Sequence, residues 1–366
     1  MNYFPDRFIV RFIPGVSRRR ALEIIQQVGG LTLLDEIPVL NVYTVGVDPL
    51  LLNIKMTILS NFSGVEYTEY DGILATQLTP NDPLLPNQWG LLKINSTRGW
   101  NVTRGSTFVK IAILDTGVQT NHPDLVDKIV LNKNFSNSST YEDLQGHGTH
   151  VAGIAAATTK NEIGVAGLAI NPRIINVKVL DDTGSGAYSD VAQGVVYATD
   201  NGAKVINMSL GGTFFSTTLQ DAIQYAKDNG VLVVAAAGNN NSDDLFYPAA
   251  YPHCLSVAAL NRNDTKASFS NYGSSWVDVA APGVDILSTL PTYENRTGQT
   301  NYGTLSGTSM ASPFVAGLAA LMLSLDPSVN NVQNAIETTT VPLNGTGSLY
   351  ERGRINTYTA LLKIKG

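Results

Sequence analysis

From about residue 84 onward, strand-length apolar runs alternate with helical stretches, and this alternation constrains the fold more than any other feature. The apolar runs are VKIAILD, RIINVKVLD, AKVINMSL, VLVVAAAG, CLSVAAL and VDVAAPG. Helical periodicity lies between some of them, as at residues 188–203 and 218–230. Apolar strands with interleaved helices predict an α/β, doubly wound, mostly parallel sheet with helices on both faces. Ligands of such sheets bind beyond the carboxyl ends of the strands.

Residues 1–77 follow a different pattern. The predicted elements are strands at 7–13, 31–37, 39–47 and 64–72 and helices at 16–30 and 49–61. This β-α-β-β-α-β order predicts a small ferredoxin-like α+β domain. The stretch 72–83 shows no periodicity and predicts an exposed linker. We therefore expect two domains, residues 1–77 and 78–366.

Composition and charge exclude several kinds of partner. A net charge of −6 argues against nucleic acid, and no uninterrupted apolar stretch reaches the roughly 18 residues of a membrane span. The single cysteine, Cys254, excludes an internal disulfide and lies in a predicted buried strand, which favours packing over a catalytic thiol. Arg7 and Arg11 interrupt the apolar N-terminus, so we expect no secretory signal peptide in this chain.

Four short motifs supply an aspartate, a histidine, an asparagine and a serine in a fixed order. They are ILDTGV (113–118), GHGTHVAG (146–153), AAAGN (235–239) and SGTSMASP (306–313). Asp115 and Asn239 end predicted strands, whereas His147 and Ser309 begin predicted helices. Each residue alone has an ordinary explanation as a turn residue or helix cap. Together they predict a serine-nucleophile acyl-transfer enzyme.

Two histidines compete for the role of general base. His147 opens its predicted helix, and a helix N-terminus disfavours an imidazolium, so we expect a lowered pKa that keeps the ring available as a base. His150 follows three residues later, and an H-x-x-H pair could bind zinc. No H-E-x-x-H pattern or cysteine set completes such a site. We therefore favour His147 as the base and a structural role for His150.

The predicted helix after Gly307 suits a nucleophile. The backbone N–H of Ser309 at the helix N-terminus would stabilise negative charge on the attacked carbonyl, and the side-chain amide of Asn239 could donate to the same oxygen. Pro313 is expected in the first turn of this helix, where a missing N–H costs little.

Residues 79–360 resemble the subtilisin-like serine proteases, the subtilases. The similar segments are TPNDP, DTGVQTNHPDL, HGTHVAGIAAA, DDTGSGAYS, SLGG, VVAAAGN, YPAAYP, VDVAAPG and GTSMASP. The resemblance implies a serine endopeptidase with Asp115, His147 and Ser309 as its triad and Asn239 as the oxyanion donor. Residues 1–77 resemble the family's propeptide, an intramolecular chaperone and inhibitor. They imply a self-processing zymogen, a secreted extracellular location and a monomer that acts on polypeptides.

The resemblance also places the substrate. It implies that two segments form the walls of a cleft that binds an extended peptide as an added strand, namely Gly184-Ser185-Gly186 and Ser209-Leu210-Gly211. Phe246 corresponds to the floor of the pocket for the residue before the scissile bond, and we hypothesise that it narrows this pocket. Cleavage is expected near Gln77–Leu78, which would leave residues 74–77 in the cleft, with Leu74 in an apolar subsite.

The loop TTKNEIGV, residues 158–165, resembles a calcium site of the family. Ca²⁺ takes six to eight oxygen ligands, several of them backbone carbonyls. The resemblance implies a ligand set of the side chains of Asp82, Asp124 and Asn161 with the carbonyls of Thr158, Ile163 and Val165. Because Asp82 would lie near the new N-terminus, we expect maturation and calcium binding to be coupled.

Two other functions match part of the pattern. The string GTSMA resembles the nucleophile elbow of an α/β-hydrolase, but that fold needs a histidine after its serine. All four histidines precede Ser309, at positions 122, 147, 150 and 253, so this alternative fails. A binding protein on a degenerate subtilase frame would need a broken triad or oxyanion residue, and none is broken. No covalent adduct at Ser309 with a serine-reactive inhibitor would favour the binding protein.

Overall fold

The computed structural model describes residues 3–72 and 80–365, which fall into two units, residues 1–76 and 77–366. The expected cleavage site at Gln77–Leu78 and the expected inhibitory residues 74–77 lie outside the described residues. Within the described ranges, no helix is long and apolar enough to span a bilayer.

The N-terminal unit is an antiparallel sheet with two helices. Its elements are β1 (Tyr3–Phe12), α1 (Arg18–Val28), β2 (Leu31–Ile37), β3 (Val42–Val47), α2 (Leu52–Ser60) and β4 (Val65–Gly72). The sheet order is β2-β3-β1-β4 with antiparallel neighbours. Strict alternation along β1 buries Phe8, Val10 and Phe12 against Ile24 and other residues of the core. The predicted β-α-β-β-α-β order is present.

The second unit carries the large sheet. Its elements are α3 (Trp89–Lys93), α4 (Ser96–Gly99), β5 (Lys110–Asp115), β6 (Ile129–Asn134), α5 (His147–Ala156), β7 (Arg173–Lys178), α6 (Tyr188–Asp200), β8 (Val205–Met208), α7 (Thr217–Asp228), β9 (Leu232–Ala236), β10 (Cys254–Leu260), β11 (Val279–Pro282), β12 (Ile286–Thr289), β13 (Tyr302–Leu305), α8 (Thr308–Leu323), α9 (Val329–Thr338) and α10 (Thr357–Lys365). Seven strands form one parallel sheet in the order β11-β10-β9-β8-β5-β7-β6. The predicted α/β architecture is confirmed.

Helices cover both faces of this sheet, as the continuous apolar runs predict. Along β9, Leu232 and Val234 belong to the core layer that contains α5 and α8. Their neighbours Val233 and Ala235 belong to the layer that contains α6 and α7. Because every second residue packs against a different layer, no position of β9 is left polar or exposed.

Three strands have no counterpart among the predicted elements. β6 is an edge strand whose residues are half-buried or exposed. Such a strand does not need a continuous apolar run, and its sequence IVLNKN ends in three polar residues. β12 and β13 form a separate antiparallel hairpin of four residues each. Short strands with polar residues carry a weak periodic signal, so tertiary pairing rather than local pattern makes them strands.

Candidate active site

The aspartate of the first motif ends β5 at the carboxyl edge of the parallel sheet. Asp115 is fully buried, and its Oδ1 accepts a hydrogen bond of 2.8 Å from the backbone N–H of Thr116. The chain then turns through Gly117, whose φ of +100° suits glycine. A Cβ at Gly117 would lie 2.5 Å from the carbonyl oxygen of Tyr141, so a side chain would not fit. This tight turn holds the carboxylate at the sheet edge.

His147 is the first residue of α5, as the sequence predicts, and it contacts Asp115. Its Nδ1 lies 2.7 Å from Oδ1 of Asp115, and its side chain is 23% exposed. Burial by itself would lower the pKa of His147, but the charge and the hydrogen bond of Asp115 outweigh it, so the pKa is raised. The expectation of a lowered pKa is therefore wrong, because a direct ion-pair partner outweighs a helix terminus.

Ser309 is the second residue of α8, which follows the N-cap Gly307. Its Oγ donates a hydrogen bond of 3.1 Å to the carbonyl of Ser209 in one wall of the cleft. Pro313 lies in the second turn of the helix rather than the first, which corrects the prediction. At that position proline removes the N–H that would reach the carbonyl of Ser309. The hydroxyl of Ser209 donates to this carbonyl instead, at 2.8 Å.

Two hydrogen-bond donors converge on one point beside Ser309. Oδ1 of Asn239 accepts hydrogen bonds from the N–H and the hydroxyl of Thr308, at 2.8 Å and 3.0 Å, which turns Nδ2 of Asn239 away from Thr308. A Cβ built on Gly307 would lie 3.5 Å from this Nδ2 and 3.6 Å from the backbone nitrogen of Ser309. The second N–H of an α-helix has no partner within the helix. Both donors therefore approach the same small volume.

The predicted cleft residues line a single cavity of about 510 Å³ together with His147, Asn239 and Ser309. The lining residues from the prediction are Gly184, Ser185, Gly186, Ser209, Leu210, Gly211 and Phe246. The ring of Phe246 packs against two glycines, since a Cβ would lie 2.4 Å from it at Gly211 and 3.0 Å from it at Gly238. The two predicted walls and the predicted floor thus face one space.

His150 and Cys254, the alternative base and the alternative nucleophile, are both buried outside the cleft. His150 is fully buried, and its Nε2 lies 3.1 Å from the carbonyl of Gly303. Burial lowers the pKa of His150 to about 3, so its ring stays neutral at ordinary pH. Cys254 is buried on β10, and burial raises the pKa of its thiol. Neither residue lines the cleft.

The loop of residues 158–165 encloses two buried carboxylates. Asp124 is fully buried and accepts hydrogen bonds from Nδ2 of Asn161 at 2.7 Å and from the N–H of Val165 at 2.9 Å. Asp82 is 3% exposed and accepts from the N–H of Lys160 at 2.8 Å. Burial raises the pKa of both carboxyls against the opposing effect of these donors. Each carboxylate therefore lacks a full charge partner.

The same loop carries the three backbone carbonyls of the predicted ligand set. Among residues 3–72 and 80–365, no N–H or O–H donates to the carbonyls of Thr158, Ile163 or Val165. The backbone has positive φ at Lys160 and Glu162, and the φ of Gly164 is +48°. A Cβ at Gly164 would lie 2.1 Å from Oδ2 of Asp124, so the chain curls closely around this carboxylate. In the same described ranges, no group of three or more His, Cys, Asp or Glu side chains could hold a metal ion.

One buried carboxylate beside the site has no counterpart in the sequence prediction. Asp143 is fully buried four residues before His147 and accepts hydrogen bonds from Thr116, Gly146 and Thr149. The residue lies in the polar segment NFSNSSTYEDLQ, where several acidic and amide side chains look alike. The one available signal is its place three residues before the N-cap Gly146, and that signal is weak.

Comparison with known proteins identifies the family of the chain. The model of the subtilase family matches residues 106–354. The chain is 44% identical over 366 residues to the thermophilic serine proteinase of Bacillus sp. (strain AK1), which covers 98% of this chain and 88% of that protein. It is 50% identical over 285 residues to thermitase of Thermoactinomyces vulgaris, which covers 77% of this chain and 99% of thermitase.

A solved structure supports the same assignment. A protease from Pseudoalteromonas arctica PAMC 21717 superposes with a TM-score of 0.73 and 35% identity, over 78% of this chain and 100% of that chain. The chain therefore belongs to the subtilase family and is a subtilisin-like serine protease. The predicted resemblance is confirmed, and with it the assignment as a hydrolase.

Proposed function

We propose that this protease is an endopeptidase that cleaves peptide bonds through an acyl-enzyme at Ser309. The observation that carries the proposal is the 2.7 Å contact between His147 Nδ1 and Asp115, with His147, Ser309 and Asn239 around one cleft. His147 takes the proton of Ser309 as its Oγ attacks the substrate carbonyl, and returns it to the leaving amine. Asp115 holds the imidazole with its proton on Nδ1, so that Nε2 is free to act as the base.

The oxyanion of the tetrahedral intermediate would occupy the point on which two donors converge. Nδ2 of Asn239 and the N–H of Ser309 both approach this point, beside Gly307. Because Thr308 occupies Oδ1 of Asn239, the amide is fixed with its nitrogen toward the cleft before substrate binds. Preorganised donors need no rearrangement as charge develops. Water then enters as the second nucleophile, and the same groups act in reverse.

An extended polypeptide would bind between the two walls of the cleft. Gly184, Ser185 and Gly186 are exposed, and residues without large side chains let a peptide backbone approach. Phe246 lies against Gly211 and Gly238 and borders the space beside Ser309. In this position its ring would reduce the depth available to the substrate side chain before the scissile bond.

Residues 1–77 would act as propeptide, chaperone and inhibitor, released by cleavage near Gln77–Leu78, so that residues 78–366 are the mature, secreted, monomeric enzyme. Two facts support this division. The N-terminal unit has its own buried core. Thermitase aligns over 99% of its length yet covers 77% of this chain, whereas the Bacillus proteinase covers 98%. A relative thus lacks a counterpart for about the share of the chain that the N-terminal unit forms.

Calcium would bind in the loop of residues 158–165. The residues suit Ca²⁺, because two incompletely neutralised carboxylates lie beside a loop that carries three carbonyls with no donor among the described residues. The site has only two carboxylates, but Ca²⁺ is also coordinated by backbone carbonyl oxygens. The side-chain amide of Asn161 points its nitrogen toward Asp124. To coordinate the cation, this amide would have to rotate so that its oxygen takes the place of its nitrogen. When bound, the cation would neutralise both carboxylates and tie Asp82 to the loop.

A serine-reactive inhibitor tests the catalytic assignment. The full chain is incubated with an organophosphonate and digested, and the labelled peptide is identified by mass spectrometry. We expect one adduct, on Ser309, that forms in the wild type and not in a His147→Ala variant. N-terminal sequencing of the same preparation should give a start close to residue 78. An adduct elsewhere would refute the nucleophile, and a start beyond residue 85 would refute the processing site.

A further inference from the structure

We propose that Asp143 is a positioning residue for the proposed triad. It fastens the turn after Asp115 to the N-terminus of α5 and so fixes how His147 meets its carboxylate partner. The inference rests on the proposed function of Asp115 and His147. It concerns a residue that does not line the cleft and is not expected to touch the substrate.

The Asp143 carboxylate accepts hydrogen bonds through both of its oxygens. Oδ1 accepts from the hydroxyl of Thr116 at 2.9 Å and from the N–H groups of Gly146 and Gln145 at 2.7 Å and 3.2 Å. Oδ2 accepts from the N–H of Thr149 at 2.8 Å. Three of these donors are N–H groups, which can only donate, so they favour the ionised carboxylate, although burial acts against them and raises the pKa of Asp143. The negative charge lies at the N-terminus of α5, where unpaired N–H groups need acceptors.

Thr116 connects Asp143 to the triad. Its N–H donates to Asp115 at 2.8 Å, and its hydroxyl donates to Asp143 while accepting the N–H of Gly148 at 2.9 Å. Gly148 follows His147 directly on α5. One residue therefore joins the carboxylate on β5, the carboxylate before α5 and the helix that carries the histidine. Loss of Asp143 would free the hydroxyl of Thr116 and three N–H groups at once.

The charge of Asp143 also acts on His147. Several titratable or charged groups surround the pair from the elements packed against it. They are Asp115 on β5, His150 on α5, Lys178 on β7 with its Nζ on the Thr116 carbonyl, Glu142 beside Asp143, and Tyr293 with its hydroxyl 3.1 Å from the Asp143 carbonyl. Of these groups, Asp115 contributes most to the raised pKa of His147, and Asp143 adds to it.

Two variants separate positioning from general charge loss. Asp143→Asn keeps one acceptor oxygen for Thr116 but removes the charge and places an N–H₂ opposite the N–H of Thr149. Glu142→Gln is the matched control, because it removes the same charge one residue earlier, where the side chain bonds to Thr120. Both are expressed as the full chain, allowed to process, and assayed over pH 5 to 10, with active sites counted by the serine-reactive inhibitor.

For Asp143→Asn we expect kcat to fall by about 10- to 100-fold with KM within about twofold of wild type, since misplaced catalytic groups cost about this much. A general base works only when neutral, so kcat/KM falls as the pH drops through the pKa of His147. Removing a nearby negative charge lowers that pKa, so this acid limb should move about 0.5 to 1 pH unit lower. Glu142→Gln should leave both quantities unchanged.

A wild-type pH profile and kcat in Asp143→Asn would overturn the inference, and so would an equal effect of Glu142→Gln. If Asp143→Asn does not fold, Thr116→Val tests the same connection, because it keeps the charge and removes the linking hydroxyl. It should lower kcat without moving the acid limb, and wild-type values would overturn the connection. Ser309→Ala distinguishes the two levels: full activity in that variant refutes the proposed function, whatever Asp143 does.

Discussion

The cleft and the calcium loop organise polar groups in opposite ways. In the cleft, catalytic side chains are oriented by neighbouring side chains, as in the contacts of His147 with Asp115 and of Asn239 with Thr308, although Oδ2 of Asp115 has no hydrogen-bond partner among the described residues. In the loop of residues 158–165, buried carboxylates lack full charge partners, and three carbonyls have no donor among the described residues. The difference teaches that the protein itself supplies the partners that orient the catalytic side chains, whereas the loop leaves acceptors open to water or to the proposed cation.

The largest expected effect is the loss of catalysis in the cleft on removal of the nucleophile, with the calcium loop unchanged. Ser309→Ala should lower kcat on a peptide substrate by about 10⁶-fold, as nucleophile removal does in subtilisin. Compared with a preparation that also retains residues 1–77, its calcium affinity should stay unchanged, because none of residues 158–165 lines the cleft. Ser306→Ala, at an exposed serine three residues earlier, is the control and should keep wild-type activity. Residual activity above one part in a thousand would argue for another nucleophile.

The next largest effect is a lower kcat on loss of an oxyanion donor, with the nucleophile still present. Asn239→Ala should lower kcat by about 10²- to 10³-fold with little change in KM, because the lost donor acts on the developing oxyanion. Asn240→Ala changes the exposed neighbour and should have no such effect. Steady-state kinetics on both variants check this. Equal losses in kcat and substrate affinity would point to distortion of the cleft instead.

Chelation tests the loop. Removing calcium should lower the free energy of unfolding by about 3 kcal/mol if the ion is present at about 100 times its Kd. Asp124→Asn should abolish this dependence, whereas Asp127→Asn, at an exposed residue nearby, should retain it. Thermal unfolding with and without EGTA, in a Ser309→Ala background that prevents autolysis, measures both.

The same unfolding experiment tests whether the loop, unlike the cleft, depends on a cation. With chelator present, Asp124→Asn should lose less stability relative to its parent than it loses with calcium bound, because removal of a charge that burial disfavours offsets part of the cost of losing a hydrogen bond from Asn161 or Val165. A large further loss of stability would mean that the hydrogen bonds of Asp124, rather than the cation, hold the loop together.

The smallest expected effect concerns specificity. Phe246→Gly should increase cleavage after Phe relative to cleavage after Ala by about tenfold, since pocket volume changes of this kind give modest discrimination. Hydrolysis of two matched peptides that differ only at the residue before the scissile bond measures the ratio. Unchanged selectivity would show that the ring does not limit the pocket.

Much of the fold follows from local pattern. Apolar runs such as VLVVAAAG become fully buried strands, and the amphipathic segments between them become α6 and α7. β6 and the β12–β13 hairpin do not follow, because their residues are only partly buried and their pairing decides their conformation. The residues of the site are likewise predictable only where a local motif contains them. Motifs locate Asp115, His147, Asn239 and Ser309, but no motif locates Asp143.

The sequence by itself determined the alternation of strands and helices, the order of the four motifs and the family. Only the tertiary structure decided three properties of the site. It raised the pKa of His147 by bringing Asp115 within 2.7 Å, and it gave the carbonyl of Ser309 the hydroxyl of Ser209 in place of the N–H that Pro313 lacks. It also buried Asp143 among donors from Thr116 and α5. Burial makes each of these contacts strong, and the partners they join are set by the packing of the chain rather than by a local pattern.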